Sequence, residues 1–155
     1  MKKILALLAL CSLLSCNKAD TITLSETNKE FPANRWQKED TKKFKFTIGE
    51  GLMNADVKLL FSHVHEPGYT SVPLVVTISG PDGLNDEVPV NLQLTGADGK
   101  PASQCAGDVC DLTVTIQEGA TLKAGDYQIA VTSTFNNAYV PNVLAVGVKI
   151  EHPVQ

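Results

Sequence analysis

Hydrophobic and polar residues alternate along most of the chain with a period of two, the pattern of β-strands that bury one face. No window sustains the 3.6-residue period of an amphipathic helix. Turn-forming stretches rich in glycine, proline and aspartate separate the alternating segments. The pattern predicts seven strands, or eight with a short edge strand near residues 22–24, and the seven cover residues 43–48, 55–64, 73–79, 88–95, 112–117, 127–132 and 144–151.

Local details of the pattern indicate where some strands lie in their sheets. Residues 55–64 include a stretch that is apolar on both faces, which predicts a central strand. Pro89 cannot donate a backbone hydrogen bond, so the strand over 88–95 is predicted at an edge. Residues 118–126 are expected to form a loop that includes one helical turn.

Strands with one polar face, joined by short turns, are expected to pair antiparallel in two packed sheets. We therefore predict an all-β fold, a single antiparallel β-sandwich of immunoglobulin-like or jelly-roll type. A closed barrel is the alternative, because the number of strands alone does not separate the two. The domain is assigned to residues 33–151, and residues 152–155 to a frayed tail.

The N-terminus has the pattern of a cleaved export signal. Lys2 and Lys3 precede an apolar stretch over residues 4–14, which is shorter than the about 20 residues of a membrane-spanning helix. The run Leu13-Leu14-Ser15-Cys16 is similar to the bacterial lipobox, in which the cysteine is acylated and becomes the first mature residue. This predicts a signal over residues 1–15, a lipid anchor at Cys16 and a polar tether over 16–32.

Two other interpretations fit this segment less well. An ordinary secretory signal would make Cys16 incidental. Cleavage before Cys11 is disfavoured, since Leu10 is bulkier than the small residue that usually precedes the lipidated cysteine. The small Ser15 and the polar residues that follow Cys16 both favour lipidation at Cys16.

Composition narrows the classes of partner. The chain has 13 basic and 17 acidic residues, for a net charge of −4, and loss of Lys2 and Lys3 with the signal makes the mature chain −6. Because it also lacks a cluster of lysine or arginine, nucleic acid is not an expected partner. The mature chain has the size of one domain.

Cys105 and Cys110 lie in a polar loop of an exported chain, and four residues that include a glycine separate them. An oxidising compartment and a chain able to turn back predict a local disulfide. A metal site would need two more ligands. His63 and His65 share one face of a predicted strand, but nothing in the sequence places that strand beside the loop, so no metal site is predicted.

No catalytic signature is present. The chain contains neither a Gly-x-Ser-x-Gly nucleophile elbow nor a His-Glu-x-x-His zinc motif. The oxygen-bearing side chains over residues 82–87 do not have the spacing of a calcium-binding loop. We therefore predict a protein that is not an enzyme and has no cofactor.

Arg35 and Trp36 form the one basic and aromatic pair that suggests binding, because such pairs anchor protein interfaces or stack on sugar rings. The competing interpretation is that Trp36 caps the hydrophobic core while Arg35 is solvated. We favour it, since a large buried aromatic is usual in a small β-domain. Arg35 and Trp36 remain the candidate partner-binding residues.

The segment Asn34-Arg35-Trp36-Gln37-Lys38-Glu39-Asp40, with Phe44 and Phe46 after it, resembles the opening motif of the gliding-motility lipoprotein H family of the Bacteroidetes. Two Asp-Gly turns, over residues 81–83 and 97–100, follow in the family's order, as does the ending from Gly125 to Glu151. The resemblance spans residues 31–151, behind the lipobox.

This resemblance implies a non-enzymatic envelope lipoprotein of the gliding and type IX secretion machinery that acts by contacts with envelope proteins. Asn17, the residue after Cys16, is not the aspartate that retains many lipoproteins in the inner membrane. An outer-membrane location is therefore expected, on the periplasmic face. The alternative function is an anchored β-sandwich that binds a glycan or another ligand through Arg35 and Trp36.

Overall fold

Residues 21–153, the part of the chain that the computed structural model describes, contain eleven β-strands and two 3₁₀ turns, at Pro32–Asn34 and Pro81–Gly83. The predicted export signal and the anchor at Cys16 lie outside these residues. Neither turn is long or apolar enough to be a membrane-crossing helix. The strands are β1 (Thr21–Asn28), β2 (Trp36–Gln37), β3 (Lys42–Ile48), β4 (Leu52–Val64), β5 (Ser71–Ser79), β6 (Asn85–Gln93), β7 (Gln104–Ala106), β8 (Val109–Leu122), β9 (Gly125–Ser133), β10 (Tyr139–Val140) and β11 (Val143–Pro153).

The strands form two main antiparallel sheets and a small third one. The first sheet has the order β1-β11-β4-β8-β7, and the second has the order β3-β9-β5-β6. Strands β2 and β10 pair separately. The sheets do not close on themselves, so the predicted all-β sandwich is confirmed and the barrel alternative is wrong. Eleven strands are present where seven or eight were predicted, because several are only two or three residues long.

Period-two alternation builds the core between the sheets. In β3 the side chains of Phe44, Phe46 and Ile48 are buried, whereas Lys43 and Lys45 are exposed. Strands β4, β5 and β9 repeat this pattern, whereas β11 is buried at four successive positions, 145–148, and all four strands contribute to a single hydrophobic core. Burying one face of each sheet against the other is the main contribution to stability in such a fold.

The predicted positions of two strands are confirmed. Strand β4 lies at the centre of the first sheet, and Pro89 lies on β6, the edge strand of the second. The loop expected over residues 118–126 is wrong, because β8 stays paired with β4 as far as Leu122. Register shifts and Gly119, at a φ of +62°, absorb the irregularity, and the Gly119 N–H donates to Asp56 Oδ1 at 3.0 Å.

Both ends of the predicted domain differ from the structure. Residues 21–28, assigned to a polar tether over 16–32, form the edge strand β1 and pair with β11 along their whole length. The same ladder includes His152 and Pro153, which were expected to fray. The short edge strand predicted near residues 22–24 is therefore present as β1, and it is longer than predicted because backbone hydrogen bonds to β11 also hold its polar residues.

Candidate functional site

The segment that carries the family-like motif forms a corner where β2 pairs with β10. Trp36 lies opposite Val140, and Gln37 lies opposite Tyr139. The ladder is extended by the Lys38 N–H, which donates to the Ala138 carbonyl at 3.0 Å. The corner therefore joins two stretches that are far apart in the sequence.

Trp36 is a core residue. Its side chain is fully buried, and its indole Nε1–H donates to the Asp40 carbonyl at 2.6 Å. The ring meets Phe31 edge to face, with 6.0 Å between centroids. Trp36 thus lies in the core, as the competing interpretation expected, and its ring has no exposed face for a protein or a sugar.

Arg35 points the other way and is exposed. Its Cζ lies 4.7 Å from the centre of the Tyr139 ring, a cation–π contact across the β2–β10 pair. No carboxylate among residues 21–153 forms an ion pair with it. The guanidinium is therefore held in place by a ring while its N–H donors face solvent.

A buried lysine supports the same corner. Lys42 is 7% exposed, and its Nζ lies 2.7 Å from an Asp40 carboxylate oxygen and 3.0 Å from the Glu30 carbonyl, to which it donates. The ammonium also lies 4.5 Å from the centre of the Phe31 ring. A buried cation needs such compensation, so Lys42 has a structural role beneath Trp36.

Replacing Lys42 with methionine should lower the free energy of unfolding by about 1–2 kcal/mol, because the side-chain volume is kept while the charge-assisted bonds are lost. The matched control is Lys43→Met on the same strand. Lys43 is exposed, so its loss should change stability by less than about 0.5 kcal/mol. Urea unfolding of both variants measures the difference, and equal values would contradict a structural role for Lys42.

A cavity of about 650 Å³ opens near the end of β4 and the start of β8. Its lining includes His63, His65, Tyr69, Leu94 and the Cys105–Cys110 disulfide. Sequence reasoning considered the histidines and cysteines but missed Tyr69, which has no motif around it. The cavity is a second candidate site, and its chemistry depends on the buried His63.

His63 is hydrogen-bonded at both ring nitrogens. Nδ1 lies 2.7 Å from the Val64 carbonyl, which can only accept, so in the neutral ring Nε2 accepts from the Ser103 hydroxyl at 2.7 Å. This is the donor order of an activated serine. However, His63 is 3% exposed and Ser103 is 9% exposed, and a backbone carbonyl stands where a catalytic triad has a carboxylate. The hydrogen bond between Ser103 and His63 connects the loop before β7 to β4.

Tyr69 lines another wall of the cavity and is held by two contacts. Its hydroxyl donates to the Pro141 carbonyl at 2.8 Å, and its ring meets Phe135 edge to face at 5.7 Å. Burial raises the pKa of Tyr69 well above its ordinary value. The phenol therefore remains a neutral donor, and the residue serves as a brace.

The predicted disulfide is present, and it links Cys105 of β7 to Cys110 of β8 across a tight hairpin. His63 lies opposite Cys110 on the neighbouring strand, a proximity that the sequence did not reveal. The thiols are oxidised, and within residues 21–153 no group of three or more His, Cys, Asp or Glu side chains is arranged to hold a metal ion. The disulfide therefore has a structural role at the edge of the first sheet.

Several solved structures are distantly similar to this chain. A serine protease of Aeromonas sobria, in complex with its chaperone, has a TM-score of 0.39 and 12% identity, over 88% of this chain and 28% of the other. PorU of Porphyromonas gingivalis has a TM-score of 0.38 and 10% identity, over 86% and 13%. A family 35 carbohydrate-binding module of Clostridium thermocellum has a TM-score of 0.35 and 14% identity, over 83% and 91%.

The chain spans less than a third of the Aeromonas and Porphyromonas structures. No curated protein sequence matches it. A family model does match, however, and covers residues 23–150, from β1 to β11. This confirms the family resemblance seen in the sequence, and the chain belongs to the GldH lipoprotein family.

Proposed function

We propose that this lipoprotein is a structural or assembly component of the gliding motility and type IX secretion machinery, lipidated at Cys16 and held at the periplasmic face of the outer membrane. The observation that carries the proposal is the family match over residues 23–150. The lipobox-like run before Cys16 and the residue Asn17 after it support the location. Acyl chains stabilise membrane attachment by about 0.8 kcal/mol per buried methylene.

The proposed mechanism is contact between proteins. Arg35 is exposed and oriented by Tyr139, and arginine is among the residues enriched at energetically important interface positions. The Tyr139 ring already restrains the guanidinium, so less side-chain freedom is lost when a partner carboxylate or carbonyl accepts its hydrogen bonds. We therefore assign the partner-binding role to Arg35, with Tyr139 as its support.

A role without catalysis accords with the burial of Ser103 and His63, which leaves the hydroxyl little access to a substrate. Sugar stacking on Trp36 is not proposed, because the ring is enclosed by the core. The glycan-binding alternative therefore loses the residue on which it depended.

Crosslinking in living cells, followed by capture of the full-length chain and mass spectrometry, should recover subunits of the motility or secretion machinery. Arg35→Ala should lower their recovery about tenfold, the effect of losing about 1.4 kcal/mol of binding free energy. Lys100→Ala is the control, since Lys100 is exposed on a separate turn. Capture without any machinery subunit would reject the proposed function, whereas equal recovery with both variants would reject only the role of Arg35.

A further inference from the structure

One side of the sandwich has an incomplete sheet edge. Strand β8 pairs with β4 on one side along its length, but on its other side β7 covers only residues 109–111. Residues 112–122 therefore present backbone N–H and C=O groups without a strand partner on that side. A long unpaired edge of this kind is a template for another strand.

Core-facing side chains along this edge are left half-buried. Leu112 and Val114 lie opposite the buried Phe61 and Leu59 on β4, so all four point to the core side of the sheet. Ile116 continues the row, and all three β8 side chains are only partly buried. The edge thus combines free backbone groups with apolar side chains at alternate positions.

Strand β6 forms the facing edge of the second sheet, and it leaves Val88 and Val90 half-buried in the same way. One cavity, of about 500 Å³, lies between the start of β6 and the end of β8, with Asp86 and Thr121 in its wall. The cavity beside His63 lies at the other end, and its lining includes Leu94 and Cys110. The two edges therefore border a seam that runs along the open side of the sandwich.

The opposite side of the sandwich is protected. There the Lys45 N–H of the edge strand β3 donates to the Glu26 carboxylate of β1 at 3.0 Å. Strand β3 also carries the exposed Lys43 and Lys45, and charged edge residues are a common means of preventing strand addition. Pro89 limits pairing on β6. Residues 112–122 of β8 contain neither lysine nor proline, so β8 is the edge left open.

Charge indicates what this edge accepts. Strand β6 carries Asp86 and Glu87, and β8 carries Asp111 and Glu118, while neither strand contains lysine or arginine. A second copy of the chain would bring like charges together and would be disfavoured. A basic segment would be attracted and correctly positioned.

We propose that residues 112–122 of β8 bind an extended, basic segment of a partner protein as an added strand. Alternate apolar side chains of that segment enter the seam beside Val114, and its lysine or arginine side chains lie near Asp111 and Glu118. Strand addition of this type combines backbone hydrogen bonds for affinity with side-chain pockets for specificity. The inference rests on the proposed function only in that the occupant is a protein.

The test uses the full-length lipidated chain in detergent micelles and a synthetic peptide of about nine residues, in which valine alternates with lysine and threonine. Hydrogen exchange of individual amides is measured by NMR. Every second amide between residues 112 and 122 should exchange about tenfold more slowly or better with peptide, because alternate N–H groups point to the same edge. No machinery is present, so this test and the cellular capture fail independently.

Two control peptides sharpen the result. A version with glutamate in place of lysine should bind at least about tenfold more weakly, because it meets acidic strands. A version with a central proline should lose the alternating protection, since proline cannot complete the ladder. Equal effects of all three peptides, absence of protection, or protection of β1 or β3 instead would overturn the proposal.

Variants locate the contact. Val114→Lys places a charge in the seam and should abolish peptide binding. Thr115 lies on the exposed outer face, so Thr115→Lys should preserve the apolar contact in the seam, and the peptide should still bind. Glu118→Lys is the second variant, because reversing an exposed charge leaves the core unchanged. It should weaken peptide binding and reduce the dependence of that binding on salt concentration. Concentration-dependent dimers that Val114→Lys abolishes would identify a second copy as the occupant and overturn the proposal.

Discussion

Replacing Cys16 with alanine should move the protein from the membrane fraction to the soluble fraction of the cell envelope. The thioether to diacylglycerol requires the cysteine sulfur, and the amide to a further acyl chain requires the amine that cleavage before this residue frees. Each buried methylene stabilises attachment by about 0.8 kcal/mol. Two or three acyl chains therefore make membrane attachment practically permanent. Without them, we expect the whole protein, and not a part of it, to leave the membrane fraction. Fractionation after metabolic labelling with a fatty acid measures both attachment and acylation.

Cys11→Ala is the matched control, because Cys11 lies in the same apolar stretch and follows the bulky Leu10. It should remain acylated and in the membrane fraction. Unchanged labelling and retention of Cys16→Ala would disprove the anchor assignment, and loss of both in Cys11→Ala alone would place the lipid on Cys11.

The strands that the sequence predicted well are those with one buried and one solvated face. In β3 the alternation of Phe44 and Phe46 with Lys43 and Lys45 corresponds residue by residue to burial and exposure. Such a strand reports its own environment because neighbouring side chains point to opposite faces. Pro89 likewise indicated an edge, since the missing N–H is a local property.

Features that depend on distant partners were not predictable. The pattern indicated only a short edge strand near residues 22–24, and the full length of β1 depends on its ladder with β11. The two-residue strands β2 and β10 are too short to show a period. The proximity of His63 to Cys110 follows from the pairing of β4 with β8. A single sequence contains no direct record of such pairing, so the cavity and the open edge emerge only from the structure.

The candidate partner-binding residues Arg35 and Trp36 include one feature that the local sequence could predict and one that depends on a distant strand. Arg35 and Trp36 are adjacent, and adjacent residues near a strand face opposite ways, so burial of one implies exposure of the other. Local reasoning could thus have separated their roles. The support of Arg35 by Tyr139 could not have been found, because it depends on the pairing of β2 with β10.

Replacing Trp36 with alanine should lower the free energy of unfolding by about 3–5 kcal/mol, the usual effect of removing a fully buried large aromatic. The change opens a cavity beside Phe31 and leaves the Asp40 carbonyl without its indole donor. This is a large part of the stability of a domain of this size. Denaturant unfolding followed by circular dichroism is the measurement, because Trp36 is the only tryptophan and fluorescence is lost with it.

Two controls separate a core role for Trp36 from an interface role. Trp36→Phe keeps a ring but not the Nε1–H, so it should lose less than the alanine variant. Arg35→Ala removes an exposed side chain and should change stability by less than about 0.5 kcal/mol while still reducing partner capture. If Trp36→Ala left stability unaltered but reduced partner capture, Trp36 would have to be assigned a partner-binding role instead of a core role. The expected opposite result assigns stability to Trp36, at the start of β2, and recognition to Arg35, the residue that precedes it.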